Sequence, residues 1–360
     1  MKEQRKYYLD NLRTIMIIGL FIAHTCEMYH LKEEFYIEGE KNLIPTLIYN
    51  FLTSWYMAVL FFIAGLTTMY SLKKRSIKEY YIERCKRLLI PFVVGLLLWV
   101  PIQSYYTLKS HYGFVGSVID VYKHFFTTYT TGLYGYDGGF TPSHLWFLIY
   151  LMGISLIAYP VIKYKQNNPM KKIFNASWKN FAILTLIIYV VAYGTNDESI
   201  GKFIVFFVVG VLMYDNTELY KFILKYWKFL SLLGLITNAF MSYMIIKMYD
   251  MSIWTLSYAS MRLVWAISCT TTVFGLMGLT QRFFNKTNKV LKYLSARSFA
   301  VYYIHMTVVI AVGYYVLTYV KCVIPLQIGM IIGISVVVTL ALVEIARKIP
   351  GINVLLGMNR

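Results

Sequence analysis

The stretch YYLDNLRTIMIIGLFIAHTCEMYH, residues 7–30, sets His24, Glu27 and His30 at the far end of a long apolar run that begins beside Arg13. Ionisable groups are costly inside a bilayer, so they are seldom kept there without a partner or a task. Arg13 and His24 are eleven residues apart. At about 100° per residue this is within about 20° of three full turns, so the two share a helix face roughly 16 Å apart along the axis. Glu27, three residues beyond His24, falls on the same face. One stripe therefore runs Arg13, Met16/Ile17, Leu20, His24, Glu27. An imidazole beside a carboxylate has its tautomer fixed and its imidazolium stabilised, which suits it to accept a proton. Taken singly, Arg13 fits a snorkelling flank and His24 an interhelical hydrogen bond. Aligned with Glu27, they point to proton-transfer chemistry. His30 lies off the stripe and is left out of it.

The elements that must position these groups are membrane helices. The chain has 360 residues, 58% hydrophobic and 14% charged, where a soluble domain averages about 45–50% apolar and about 25% charged. No cleavable signal peptide is expected, because His24 and Glu27 stand where a small-residue cleavage site would fall. The formal charge of +18 does not imply nucleic acid, since the basic residues alternate with apolar runs and form no single patch. Cys26, Cys85, Cys269 and Cys322 are scattered, which gives neither a zinc signature nor a disulfide framework.

A crossing needs about 20 apolar residues. Apolar runs at 12–30, 46–71, 87–107, 144–162, 180–194, 200–214, 228–247, 254–279, 297–319 and 323–346 predict an all-α polytopic bundle of about ten transmembrane helices. The whole of 1–360 is expected to form one transmembrane domain, with no separate soluble domain. Lys and Arg crowd alternate connections: the N-terminus, 72–87, 163–179, 215–228, 281–297 and the C-terminal end. This alternation places both termini in the cytoplasm. The connection at 108–143 is long for a loop and holds His111, Asp120, His124 and Asp137, with His144 just beyond it. Loops of such length are usually functional or disordered, and these side chains are not nominated as metal ligands, since no ligand cluster is evident.

Other polar residues at membrane depth are Gln103, Lys202, Asn238, Arg262, His305 and Glu344. Arg262, about two turns inside its span, is the candidate for a functional buried cation and equally for a structural ion pair. His305 in YYIHM is compatible with packing or with chemistry, and Glu344, near Arg347 and Lys348, reads as interfacial.

The Arg-x10-His pair, here Arg13 to His24, resembles the signature of the acyltransferase-3 family of integral membrane O-acyltransferases. An Arg-x-x-Arg before the third span, Arg84 and Arg87 in ERCKRLLIPF, is similar to a second block of that family. FFIAGLTTMYSLKKRS, SHLWFLIYL and SFAVYYIHM resemble further blocks in the same order, and the closing PGINVLLGMNR resembles the end of its glucan O-acyltransferase branch.

The resemblance implies transfer of an acyl group, acetyl or succinyl, from cytoplasmic acyl-CoA to a hydroxyl of an extracytoplasmic or membrane-linked glycan, in the bacterial cytoplasmic membrane. Acyl-CoA is then a co-substrate, and no permanently bound cofactor is expected. Carried over by position, His24 is the catalytic histidine, Arg13 its signature partner, and Arg84 and Arg87 contact the CoA phosphates. Lys74 and Arg75 lie in the same basic stretch and suit the same anion. His24 would act as general base with Glu27 orienting it, and Arg262 or a buried tyrosine would steady the oxyanion. An acyl-histidine intermediate is the competing route. The expected partners are the acyl-CoA donor, the glycan or glycolipid acceptor and the bilayer, with no nucleic acid and with self-association left open. The rival reading is a transporter or flippase that uses His24, Glu27 and Arg262 as a polar relay; it calls for inverted repeats, which the sequence does not display.

Overall fold

The computed structural model describes residues 6–130, 133–168, 175–193 and 200–352. The basic residues Lys171 and Lys172 and the last eight residues of the chain lie outside these, as does the connection at 194–199. Among the described residues the protein is all-helical, with a single isolated bridge between Tyr129 and Phe140. The helices are α1 (Tyr7–Glu27), α2 (Leu43–Leu72), α3 (Ile77–Leu98), α4 (Val100–Tyr112), α5 (Val118–Thr127), α6 (Trp146–Ile157) and α7 (Tyr159–Asn167). They continue with α8 (Trp178–Ala192), α9 (Ile200–Met213), α10 (Thr217–Met248), α11 (Leu256–Phe283), α12 (Lys289–Tyr319) and α13 (Ile324–Lys348). A one-turn 3-10 helix, Ser143–Leu145, leads into α6.

Among the described residues seven segments are long and apolar enough to cross a membrane: α1, α2, α3 together with α4 (Ile77–Tyr112), α10, α11, α12 and α13. Ser143–Ile157 and Tyr159–Asn167 together make an eighth if the 55° bend between them lies within one crossing. The two remaining apolar helices, α8 and α9, are shorter. Each apolar run in the sequence falls on a helix, but helix ends and run ends differ. α1 stops at Glu27, and α3 starts at Ile77, inside the basic stretch expected to be a connection. The residues there are good helix formers, and Arg87 Nη2 meets Glu83 Oε1 at 2.7 Å one turn back.

The chain divides into two compact units, each drawn from three separate stretches. The first takes Met1–Met16, Asn50–Tyr81 and Leu151–Ser295. Within it α10 and α11 pack antiparallel, and Asn238 Nδ2 on α10 donates to Thr272 Oγ1 on α11 at 2.6 Å. The approach of α2 to α9 depends on glycine: a Cβ at Gly65 would stand 2.0 Å from the Phe207 carbonyl oxygen. Small residues at such contacts let helices gain van der Waals contact where lipid supplies no hydrophobic drive. Arg262 and Lys202 belong to this unit as well, both buried, and both cations lie over the Trp265 indole, at 4.4 and 4.6 Å from its ring centroid.

The second unit takes Ile17–Tyr49, Ile82–Tyr150 and Ala296–Arg360. Its helix pair α3–α4 breaks at Trp99, just before Pro101. Proline has no N–H to give the carbonyl four residues back, and the Leu97 carbonyl instead accepts from Tyr122 Oη on α5 at 3.0 Å. Ser117 and Asp120 form a capping box at the start of α5, and Val121 and Phe125 bury its inner face. The long connection is therefore built around a short amphipathic helix. Glu344 accepts from Arg297 on α12 and meets Arg347 at 3.5 Å, so its partners are basic residues, as its position suggested.

Candidate active site

The last turn of α1 carries His24 and Glu27, the two groups singled out for proton transfer. His24 Nδ1 lies 2.9 Å from Glu27 Oε2. Glu27 is buried, and its other oxygen, Oε1, accepts from Tyr49 Oη at 3.0 Å and from Tyr136 Oη at 3.4 Å. A carboxylate surrounded by donors stays an acceptor, so the proton on His24 Nδ1 points to Glu27 and Nε2 carries the lone pair. The His24 side chain is 19% exposed against 4% for Glu27, so the imidazole is the more accessible of the two. Burial, and next the Glu27 charge, push the Tyr136 hydroxyl well above the ordinary tyrosine range, which keeps it a donor.

The chain beyond α1 is folded tightly against this pair. The His30 amide donates to the Glu27 carbonyl at 3.0 Å, and His30 Nδ1 accepts from the Glu33 amide at 2.8 Å. His30 therefore serves the turn, consistent with its place off the stripe. Phe35 stacks on the His24 ring at 6.2 Å between centroids, 18° from parallel. Tyr36 meets Tyr136 edge-on at 5.0 Å, and Tyr134 stacks on Tyr136 at 5.6 Å. The imidazole and carboxylate thus sit beside an aromatic wall drawn from two connections.

Two further histidines complete the cluster. The His305 ring centroid is 5.4 Å from that of His24, and the His144 ring is 5.6 Å from His305. Both are buried. His144 has each nitrogen engaged: Nε2 lies 3.2 Å from the Tyr303 carbonyl and Nδ1 3.3 Å from Gln103 Nε2. Gln103 Nε2 also donates to Thr307 Oγ1 at 2.9 Å, and Gln103 Oε1 accepts from Ser143 Oγ at 2.5 Å. Tyr36 Oη in turn donates to Ser143 Oγ at 2.8 Å. Ser143 holds φ at +49°, a left-handed conformation that a non-glycine residue adopts at a cost. Its side-chain bonds hold it there and bring His144 into the core.

Of the residues singled out in the sequence, the structure brings His24 and Glu27 together. Arg13 stands on the same unbroken helix, 41% exposed, with Nη2 3.3 Å from Asp10 Oδ1 one turn earlier. Arg84 and Arg87 lie on α3 within the second unit, one turn apart. Lys74 and Arg75 are exposed in the first unit, in the turn before α3. Arg262 lies in the first unit, and its Nη2 donates to the Ala192 carbonyl at 2.5 Å. His111 is exposed, Asp120 caps α5, and Asp137 Oδ1 accepts from the Gly139 amide at 3.0 Å. His124 Nε2 lies 3.4 Å from the Asp137 carbonyl, tying α5 to the connection that follows it. Among the described residues no three His, Cys, Asp or Glu side chains are grouped as a metal site.

Tyr49, Tyr136 and the role of His144 were not evident from spacing. Two tyrosines among 33 carry no local mark, and His144 is 120 residues from His24. His305 was visible as a polar residue at membrane depth, but only the fold puts it beside His24.

The chain matches no curated protein and no solved structure. A family model described as an acyltransferase domain matches residues 6–344, nearly its whole length. Apolar helices long enough to cross a membrane agree with that match: the protein belongs to the acyltransferase-3 family and is a multi-pass membrane acyltransferase.

Proposed function

We propose that the protein transfers an acyl group, acetyl or succinyl, from cytoplasmic acyl-CoA to a hydroxyl of an extracytoplasmic or membrane-linked glycan. It does so from the bacterial cytoplasmic membrane, with about ten crossings and both termini in the cytoplasm. The observation that carries the reading is the His24 Nδ1–Glu27 Oε2 contact of 2.9 Å, with Tyr49 and Tyr136 donating to the same carboxylate.

A sugar hydroxyl does not ionise at neutral pH, so its proton must be taken as it attacks the thioester carbon. In the simplest form of the reaction His24 Nε2 takes that proton, and Glu27 stabilises the imidazolium and keeps the ring oriented. The thioester C–S bond breaks, and the proton passes to the departing thiolate. Arg84 and Arg87 hold the CoA phosphates, for which the planar guanidinium is well suited. Tyr134 and Tyr136, the less buried members of the aromatic wall, support a carbohydrate acceptor, since sugar rings pack on aromatic faces. A tyrosine hydroxyl of this unit is preferred over Arg262 as the oxyanion donor, because Arg262 Nη2 already serves the Ala192 carbonyl.

The test is acylation of envelope glycans, read by mass spectrometry, in a deletion strain complemented with His24→Ala. Transfer should be abolished while the variant reaches the membrane at normal level. Near-normal acylation would overturn the assignment.

A further inference from the structure

Direct transfer with His24 as the only base leaves His305 without a task, and its surroundings are unusual. His305 is completely buried, 0% exposed, on α12. Its Nδ1 lies 2.6 Å from the Tyr302 carbonyl, which in the neutral ring fixes the proton there and leaves Nε2 as a lone pair. That Nε2 has no hydrogen-bond partner. A buried polar atom left unpaired is costly and calls for an explanation. Its neighbours sharpen the point. His144, on one side, has both nitrogens engaged within the protein. His24, on the other side at 5.4 Å, has one nitrogen held by Glu27 and one free to react. The second unit therefore holds two adjacent imidazoles, each anchored through Nδ1 and each keeping Nε2 for something else.

A second base is needed when the first is occupied. The geometry points to a two-step transfer in which His24 Nε2 carries the acyl group and His305 Nε2 takes the proton of the acceptor hydroxyl. In the first step the His24 Nε2 lone pair attacks the acyl carbon of the thioester. The C–N bond forms, the C–S bond breaks, and the thiol leaves as its thiolate. The resulting N-acylimidazolium keeps its Nδ1 proton against the Glu27 carboxylate, which balances its charge. In the second step the acceptor oxygen attacks the same carbon while its proton moves to His305 Nε2. The ester C–O bond forms, the C–N bond breaks, and the electron pair returns to His24 Nε2. His305 then gives up its proton to the thiolate or to solvent. The proposal rests on the reading of His24 as the reacting imidazole and decides between the two routes that reading leaves open.

His305→Gln tests it, because glutamine retains polar contacts and volume but is no base. In the purified full-length protein, acetyl-CoA and succinyl-CoA are supplied without acceptor and free thiol is counted. His305→Gln should release about one thiol per site, as the wild type does, while overall transfer to glycan falls by about 10²–10⁴-fold, the usual worth of a general base. Peptide mass spectrometry of His305→Gln isolated from cells should find an acyl mass on His24, whichever donor the cell supplies. His24→Gln should show neither thiol release nor adduct. Transfer by His305→Gln within a few-fold of wild type overturns the proposal. So does the absence of an adduct on His24, or a loss of thiol release accompanied by a lowered thermal transition, which would return His305 to packing. Retained transfer in His24→Gln would instead defeat the reading on which the proposal rests.

Discussion

Glu27 Oε2 lies 2.9 Å from His24 Nδ1, one turn back on α1, while Glu27 Oε1 accepts from Tyr49 at 3.0 Å and from Tyr136 at 3.4 Å. Three donors thus converge on one carboxylate. A carboxylate has two acceptor oxygens, whereas an amide has one and adds two donors of its own. Glu27→Gln must therefore turn an N–H toward one of these three donors, or drive His24 to the tautomer with its proton on Nε2, where it neither accepts a proton nor attacks. The expected result is a fall in kcat of about 10²–10⁴-fold, with the KM for acyl donor unchanged. Steady-state kinetics on the purified variant check it, and a rise in KM at constant kcat would assign Glu27 to binding.

The tyrosines act through Glu27, so their loss should be graded by distance. A hydrogen bond to a charged group contributes about 1.5–3 kcal/mol. Tyr49→Phe should cost about tenfold or more in transfer, and Tyr136→Phe, with the longer bond, less. Burial and the Glu27 charge raise the Tyr136 hydroxyl above its ordinary value, so it remains a donor throughout the accessible pH range. The factor lost in Tyr136→Phe should then stay constant between about pH 6 and 9, well below an ordinary tyrosine pKa of about 10. A factor that shrinks as pH rises would show that Tyr136 ionises in this range.

The sequence reveals the helices because apolar runs of sufficient length are local, and it reveals the His24–Glu27 pair because i, i+3 geometry is local too. It blurs α3, where hydropathy marks the apolar part from residue 87 but the helix begins ten residues earlier, at Ile77, on charged helix formers. The cluster around His24 is hidden for a different reason. His305, Tyr49 and Tyr136 reach it from distant parts of the chain, and no residue near them in sequence announces the contact. Ser143 shows the same limit at backbone level: nothing in TPSH signals a left-handed serine, which is held by Tyr36 and Gln103 from other segments.

The glycine contact between α2 and α9 predicts a stability effect separate from catalysis. In Gly65→Ala the new methyl would stand 2.0 Å from the Phe207 carbonyl oxygen, well inside van der Waals contact, so the two backbones must separate. Overpacking of this kind costs about 1–3 kcal/mol or more. The detergent-solubilised variant should show a lower thermal transition and a poorer yield. Gly153→Ala, where nothing lies within 4 Å of the added Cβ, serves as the control and should match the wild type. Equal transitions for the two variants would mean that α2 and α9 do not rely on this contact.

The arginines of α3 give the test of donor binding. Arg87 Nη2 lies 2.7 Å from Glu83 Oε1 in an i, i+4 pair at 44% and 28% side-chain exposure. Such exposed pairs contribute only about 0.3–0.5 kcal/mol, little enough for a phosphate, which accepts a bidentate guanidinium, to displace the carboxylate. Arg84→Ala and Arg87→Ala should each raise the KM for acyl-CoA about tenfold with kcat nearly unchanged. Glu83→Gln, which removes the competitor for Arg87, should leave KM equal or lower it about twofold, given the small worth of the pair. Lys74→Ala with Arg75→Ala removes exposed charge, so its effect should be smaller and should fade as salt is raised. A KM that ignores Arg84 and Arg87 but responds to salt alone would make the whole basic stretch a surface-charge feature and place donor recognition elsewhere.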